Sequence, residues 1–160
     1  MRKGVRLGID VGSVRVGVAR SDPAGVLASP VETIQRRGRS KEQGLESALR
    51  RIAELVAEHG VLEVIVGMPK SLSGREGPSG EAARQFGRLL APRLRPVPVR
   101  LADERFSTVT AERTLQGMGV RGTARRSVVD QEAATVILQA ALDAEKASGS
   151  PPGEVVQEQE

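Results

Sequence analysis

The chain has 160 residues, 39% hydrophobic and 28% charged, the size and composition of one globular domain whose core holds without staples. The absence of Cys and the single His, His59, exclude disulfides, thiolate metal sites, iron–sulfur clusters and multi-histidine metal centres. Trp and Tyr are absent and the only Phe are Phe86 and Phe106, so the net charge of +4 points to a polyanion held by charge, amides and shape rather than by stacked bases.

Met1-Arg2-Lys3 runs into a strand pattern without an apolar leader, and no spanning apolar run follows, so a cytoplasmic protein away from the membrane is expected. Val5, Leu7, Ile9 and Val11 alternate with Arg6, Gly8, Asp10 and Gly12; Val14, Val16 and Val18 then alternate with Arg15, Gly17 and Ala19, which predicts a hairpin. A third strand over Val26 to Ile34 is broken by Pro30, which suits a sheet edge. After the basic loop Arg36-Arg37-Gly38-Arg39, Ser40-Lys41-Glu42-Gln43 has the spacing of a capping box, and Leu45, Leu49, Ile52 and Val56 recur at helical intervals up to His59-Gly60. Val61 to Val66, apolar except for Glu63, reads as a buried parallel strand.

A loop from Gly67 to Gly80 is expected next, then a helix over Glu81–Leu94, a strand over Val97–Ala102, and helices over Thr108–Met118 and Ser127–Ala147. The tail holds Pro151-Pro152-Gly153 and three acids, Glu154, Glu158 and Glu160, without a cation. That composition predicts a disordered acidic tail, 148–160, behind a single domain, 1–147. Strands in meander followed by helix crossovers predict an α/β domain, with a mixed five-stranded sheet flanked by helices.

Asp10 stands inside an otherwise apolar strand, where an ionised carboxylate is costly unless a cation compensates it. Gly8 and Gly12 on the same strand face leave room for a ligand beside it; an Arg partner or a cap on the Gly12-Ser13 turn would also account for it. Asp103-Glu104 follows a strand and precedes a helix start, so the pair fits helix-start acids favoured by the macrodipole. It equally fits a ligand site beyond the carboxyl end of a strand, with at most one of the two facing it. Asp130 fits a capping box opened by Ser127, whereas Ala133 and Ala134 one turn on would let its helix approach the sheet. Three acids from a strand, a strand end and a helix start repel one another without a cation, and a hard, oxygen-seeking ion such as Mg²⁺ resolves the repulsion without Cys or His. The Gly67–Pro78 loop, with Lys70, Arg75, amides and hydroxyls, could hold phosphates. Arg121, Arg125 and Arg126 would flank Asp130 and grip a phosphodiester backbone. His59, at a helix end, reads as a cation on the dipole.

Gly8-Ile9-Asp10-Val11-Gly12-Ser13, Arg15-Val16-Gly17-Val18-Ala19, Ser21-Asp22, Val66-Gly67-Met68-Pro69, Gly74-Arg75-Glu76-Gly77-Pro78, Asp103-Glu104-Arg105-Phe106-Ser107-Thr108 and Asp130-Gln131-Glu132-Ala133-Ala134 together closely resemble the YqgF (RuvX-type) family, in the family's order and over almost the whole chain. The resemblance implies a ribonuclease H-like fold and a metal-dependent nuclease that processes the 5′ end of precursor 16S ribosomal RNA; related members are assigned to Holliday-junction resolution on four-way DNA. Carried over by position, Asp10, Glu104 and Asp130 are the catalytic, metal-holding triad for Mg²⁺ or Mn²⁺. The implied mechanism is two-metal hydrolysis of phosphodiester bonds, with Lys70, Arg75, Arg105, Arg125 and Arg126 placing the substrate backbone. Lys70-Ser71-Leu72-Ser73 departs from the Leu-Asn-Met-Asp run of many members.

Three other readings start from the same residues. Asp10-Val11-Gly12-Ser13 also resembles the phosphate hairpin of actin-like and sugar-kinase ATPases, which need two such domains. A non-catalytic RNA-binding module would gain nothing from a costly anionic cluster. Junction resolution needs two active sites and hence a homodimer, whereas RNA processing is compatible with a monomer.

Overall fold

The structure, a computed structural model, describes residues 1–69, 77–103 and 122–156, with the backbone alone at 79 and 122–130. The expected hairpin forms from β1 (Arg6–Val11) and β2 (Arg15–Ser21). β3 (Ala28–Gln35) adds antiparallel to β2 and closes one edge of the sheet. Pro30 is accommodated there by an irregularity: Val18 pairs with Glu32 and Ala19 with Pro30, which leaves Val31 as the extra residue.

α1 (Lys41–His59) begins and ends where the sequence says. The Gln43 N–H donates to Ser40 Oγ at 3.2 Å, the Gln43 side chain accepts from the Arg39 N–H at 2.6 Å, and Gly60 closes the helix at φ 58°, a conformation natural to glycine. β4 (Glu63–Met68) lies parallel to β1. It takes in Gly67 and Met68, which had been expected in the loop. α2 (Pro78–Leu90) starts earlier than expected because Pro78 occupies the first turn, where its missing N–H costs nothing, and a short 3₁₀ turn, Ala91–Arg93, follows. β5 (Val99–Asp103) is parallel to β4, and α3 (Gly122–Ser148) follows. The helix expected over Thr108–Met118 lies outside the described residues.

The sheet has six strands rather than five, in the order β3-β2-β1-β4-β5-β6. The added strand, β6 (Glu154–Val155), comes from the tail expected to be disordered: it pairs antiparallel with β5, Val156 is buried, and Glu154 pairs with Arg84 at 2.9 Å. Composition misses this because the pairing is decided by an open strand edge, not by local sequence. Residues 157–160 are outside the described part of the chain. No described helix is long and apolar enough to cross a membrane.

Strand alternation splits the core in two. Leu7, Ile9, Val16, Val18, Val64, Val66 and Leu101 pack with α1 and α2 on one face. Ala19, Ala28, Ile65 and Ala102 pack with Ala134, Ile137, Leu138, Ala141 and Leu142 of α3 on the other. The second face is lined by small residues, and α3 comes very close. A Cβ added at Gly8 would stand 2.7 Å from Leu138 Cβ and 2.9 Å from the Ala134 carbonyl oxygen. Gly8→Val is therefore expected to push α3 off β1 and destabilise the fold by about 1–3 kcal/mol, read as a shift in urea midpoint. An unchanged midpoint would mean that the helix does not depend on this approach.

Charged residues on the α3 face set the helix along its axis. Arg6, 1% exposed, donates to Glu145 Oε2 at 2.9 Å and to the carbonyls of Gly4 and Arg2. Arg2 bridges Glu145 at 2.6 Å and Glu63 at 3.0 Å, and Arg100 Nε meets Glu63 at 3.1 Å. Glu63, the exception in its apolar run, is thus a buried anion shared by two cations.

Candidate active site

β1 runs antiparallel to α3, and its α3 face reads Arg6, Gly8, Asp10 along the strand. Arg6 meets Glu145, and Gly8 meets Ala134 and Leu138, so the helix descends in residue number as the strand ascends. At the next step up β1 stands Asp10, half-buried at the carboxyl end of a central strand. Its antiparallel neighbour is Gly17, which in turn pairs with Thr33. On the other side Ile9 pairs with Val66, so the following residue, Gly67, stands in the Asp10 row. Neither neighbour in its row places a side chain beside the carboxylate.

α3 is pinned over the same row. Gln131 Nε2 donates to Thr33 Oγ1 at 3.0 Å. Residue 130 lies one helical turn before Ala134, on the stripe that approaches β1, so its backbone passes above the Asp10 end of the strand. The capping-box reading of Ser127 and Asp130 is corrected: the helix starts at Gly122, which leaves residue 130 more than two turns inside it and no acid in its first turn. A local box motif loses to continuous helix when good helix formers such as Ala124, Arg125 and Arg126 precede it.

Alternation also separates the Asp103-Glu104 pair. Ala102 packs toward α3, whereas Leu101 belongs to the opposite face, and Asp103, the exposed last residue of β5, shares the parity of Leu101. Glu104 itself lies outside the described residues, as do Lys70, Arg75, Arg105 and Arg121; Arg125 and Arg126 are placed in the first turns of α3 by backbone alone. Among the described residues no group of three metal-ligating side chains converges. The part of the site that is described suits a hard ion: an oxygen donor at an open strand end, with glycine on both sides.

Sequence reading passed over the two glycines flanking Asp10 and the Gln131–Thr33 pin. Gly17 and Gly67 carry a signal only once the strand register is known, and the pin joins residues 98 apart in the chain. His59 is removed from this site, at the far end of α1 with Nδ1 3.1 Å from Arg20 Nη1.

Comparison with known proteins follows the same lines. A protein of Nocardioides sp. (strain ATCC BAA-499 / JS614) named "Putative pre-16S rRNA nuclease" is 56% identical over 160 residues, covering 99% of both chains. Proteins of the same name from Thermobifida fusca and Streptomyces coelicolor are 57% and 51% identical over 98% of this chain, and over 98% and 90% of their own. Among solved structures, T. thermophilus RuvC in complex with a Holliday junction substrate superposes with a TM-score of 0.59 at 15% identity, over 95% of this chain and 99% of that one. That likeness shows the ribonuclease H-like fold. The family model described as RuvX, Holliday junction resolvase, matches residues 4–144, and the chain belongs to this family.

Proposed function

We propose that this protein is a cytoplasmic, Mg²⁺- or Mn²⁺-dependent nuclease that hydrolyses phosphodiester bonds at the 5′ end of precursor 16S ribosomal RNA, with Asp10, Glu104 and Asp130 as its metal-holding acids. The observation that carries the reading is the strand end itself: Asp10 stands between Gly17 and Gly67, with the backbone of residue 130 passing above it. Asp103 shares the parity of Leu101, on the face away from α3, which favours Glu104 over Asp103 as the third acid. The RNA substrate is supported by near-full-length relatives at 51–57% identity that are named for it.

Divalent ions, when bound, supply Lewis-acid stabilisation for the charge that develops on the phosphoryl group. The chain's own contribution is to hold and orient them. Asp10 would hold them from a central strand, together with Asp130 and Glu104. Lys70, Arg75, Arg105, Arg125 and Arg126 fix the substrate backbone by charge and carry no sequence information of their own. The family's description as a Holliday junction resolvase favours a second reading, cleavage of four-way DNA by a homodimer.

One assay separates the two. The purified protein and Asp10→Asn, each with Mg²⁺ or Mn²⁺, are incubated with a precursor 16S 5′-leader RNA and with a synthetic four-way junction. Cutting of the RNA alone, absent in the variant, establishes the processing nuclease; paired symmetric cuts in the junction establish the resolvase. Failure to cut either substrate with either ion refutes both.

A further inference from the structure

The face of the sheet opposite α3 carries a cleft of about 790 Å³, bounded by the β1–β2 turn, the segment that follows β3, and the first turns of α1 and α2. One wall holds Arg36, Arg39 and Lys41, and the other is apolar, with Leu45, Phe86 and Leu89. Several arginines elsewhere in the described chain are matched by carboxylates: Arg2 and Arg6 with Glu145, Arg51 with Glu32, Arg93 with Glu46, Arg100 with Glu63. Among the described residues, Arg36, Arg39 and Lys41 have no such partner.

Arg36 is the most telling of the three. It is half-buried, and its Nη1 donates to the Gly12 carbonyl at 2.7 Å while its backbone N–H bonds the Val14 carbonyl at 3.0 Å. Burial, uncompensated by any anion, lowers the affinity of its guanidinium for its proton. A partly desolvated cation without a counter-charge gains most from an incoming anion. Its anchor, Gly12, lies two residues beyond Asp10, so the cleft opens beside the same strand end from the other face of the sheet.

We propose that this cleft takes a single-stranded stretch of the nucleic-acid substrate, with backbone phosphates on Arg36, Arg39 and Lys41 and a sugar or base face against Leu45 and Leu89. The proposal deepens the nuclease reading and rests on it for the class of ligand. A cleft of this volume suits a ligand of small-molecule cross-section, whereas a duplex is too wide to enter. A charged wall facing an apolar one is what a flexible polyanion with hydrophobic faces requires. None of these three cations belongs to the set assigned to the acidic site, so the substrate would be gripped at two places, one on each face of the sheet.

The test uses the charge reversal Arg39→Glu/Lys41→Glu. Both side chains are exposed, and Lys41 is the first residue of α1, where an acid favours the helix dipole, so the fold tolerates the change. Binding of fluorescein-labelled single-stranded RNA, the same sequence as single-stranded DNA, and a blunt RNA duplex is followed by anisotropy in EDTA across a salt series. The wild type is expected to bind both single strands. The reversal should weaken that binding by more than about tenfold and flatten the log–log salt slope by about 1.4, for two lost phosphate contacts on a single strand. Unchanged single-strand affinity and slope, or an equal loss on the duplex, would overturn the proposal, as would a wild type that binds no single strand in EDTA. Arg36→Gln, which removes one further cation, should also weaken single-strand binding, with a slope change of about 0.7 for one lost contact. The nuclease reading fails separately, if the wild type binds single strands through this cleft yet cuts nothing with Mg²⁺.

Discussion

Asp10→Asn is expected to abolish cleavage and leave the fold intact. Asn matches Asp in size, and the side chain stands half-buried between Gly17 and Gly67, so the substitution opens no cavity and crowds nothing. What it removes is a full negative charge and one hard oxygen donor where a divalent ion must be held against two further acids. Loss of groups that merely support a metal ligand costs about 10–100-fold in affinity or activity, so loss of a ligand itself should exceed about a hundredfold. Stability should change by less than about 1 kcal/mol, a shift of roughly 2–4 °C in melting temperature for a domain of this size. Chelation by EDTA should match the variant's effect on the wild type, and added Mg²⁺ or Mn²⁺ should reverse it. A variant that cuts at the wild-type rate would place the metal site away from this strand end.

Much of this fold can be read from local pattern. The β1–β2 hairpin follows from strict alternation, α1 from Ser40, Gln43 and Gly60, and the edge position of β3 from Pro30, because in each case the deciding interaction lies within a few residues. The site is only half legible in this way. Asp10 stands out as a carboxylate among apolar residues, but the features that make room for it depend on register between strands distant in sequence. The Ser127–Asp130 box misplaces the start of α3, because a cap motif is satisfied equally well inside a longer helix. Arg6 looks like the polar half of an alternating strand, yet it is 1% exposed, since its partner Glu145 comes from the far end of the chain. The tail is the plainest case: Pro, Gly and Glu signal disorder, and the unpaired edge of β5 recruits two of its residues into the sheet.

The Arg6–Glu145 pair carries the last prediction. Glu145 is 4% exposed, and Glu145→Ala would leave the buried Arg6 guanidinium with only two backbone carbonyls as acceptors. Removing one partner of a buried pair costs about 3–5 kcal/mol, a large share of the roughly 5–15 kcal/mol that holds a domain together. A drop of about 6–20 °C in melting temperature is expected. By contrast Glu46→Ala, which removes the exposed partner of Arg93 and Arg50, should leave the melting temperature nearly unchanged, because solvent screens exposed ion pairs. The pH dependence has a definite sign. Burial raises the Glu145 carboxyl, but hydrogen bonds from the Arg2 side chain and backbone N–H and the charges of Arg2 and Arg6 outweigh it, holding the group below its ordinary value of 4.5. Its contribution is therefore complete above that ordinary value and fades as pH falls through the lower value of the folded state. Urea midpoints of wild type and variant should lie far apart at neutral pH and converge as the pH falls from 4.5 through the lowered value of the folded state. Because this pair fixes one end of α3 while residue 130 sits above Asp10 near the other, the folded fraction of the variant should also cleave more slowly, with Glu145→Gln restoring part of both properties. A stability loss below about 1 kcal/mol, or a gap between the midpoints that does not narrow in acid, would show that α3 is positioned by its small-residue contact with Gly8 alone.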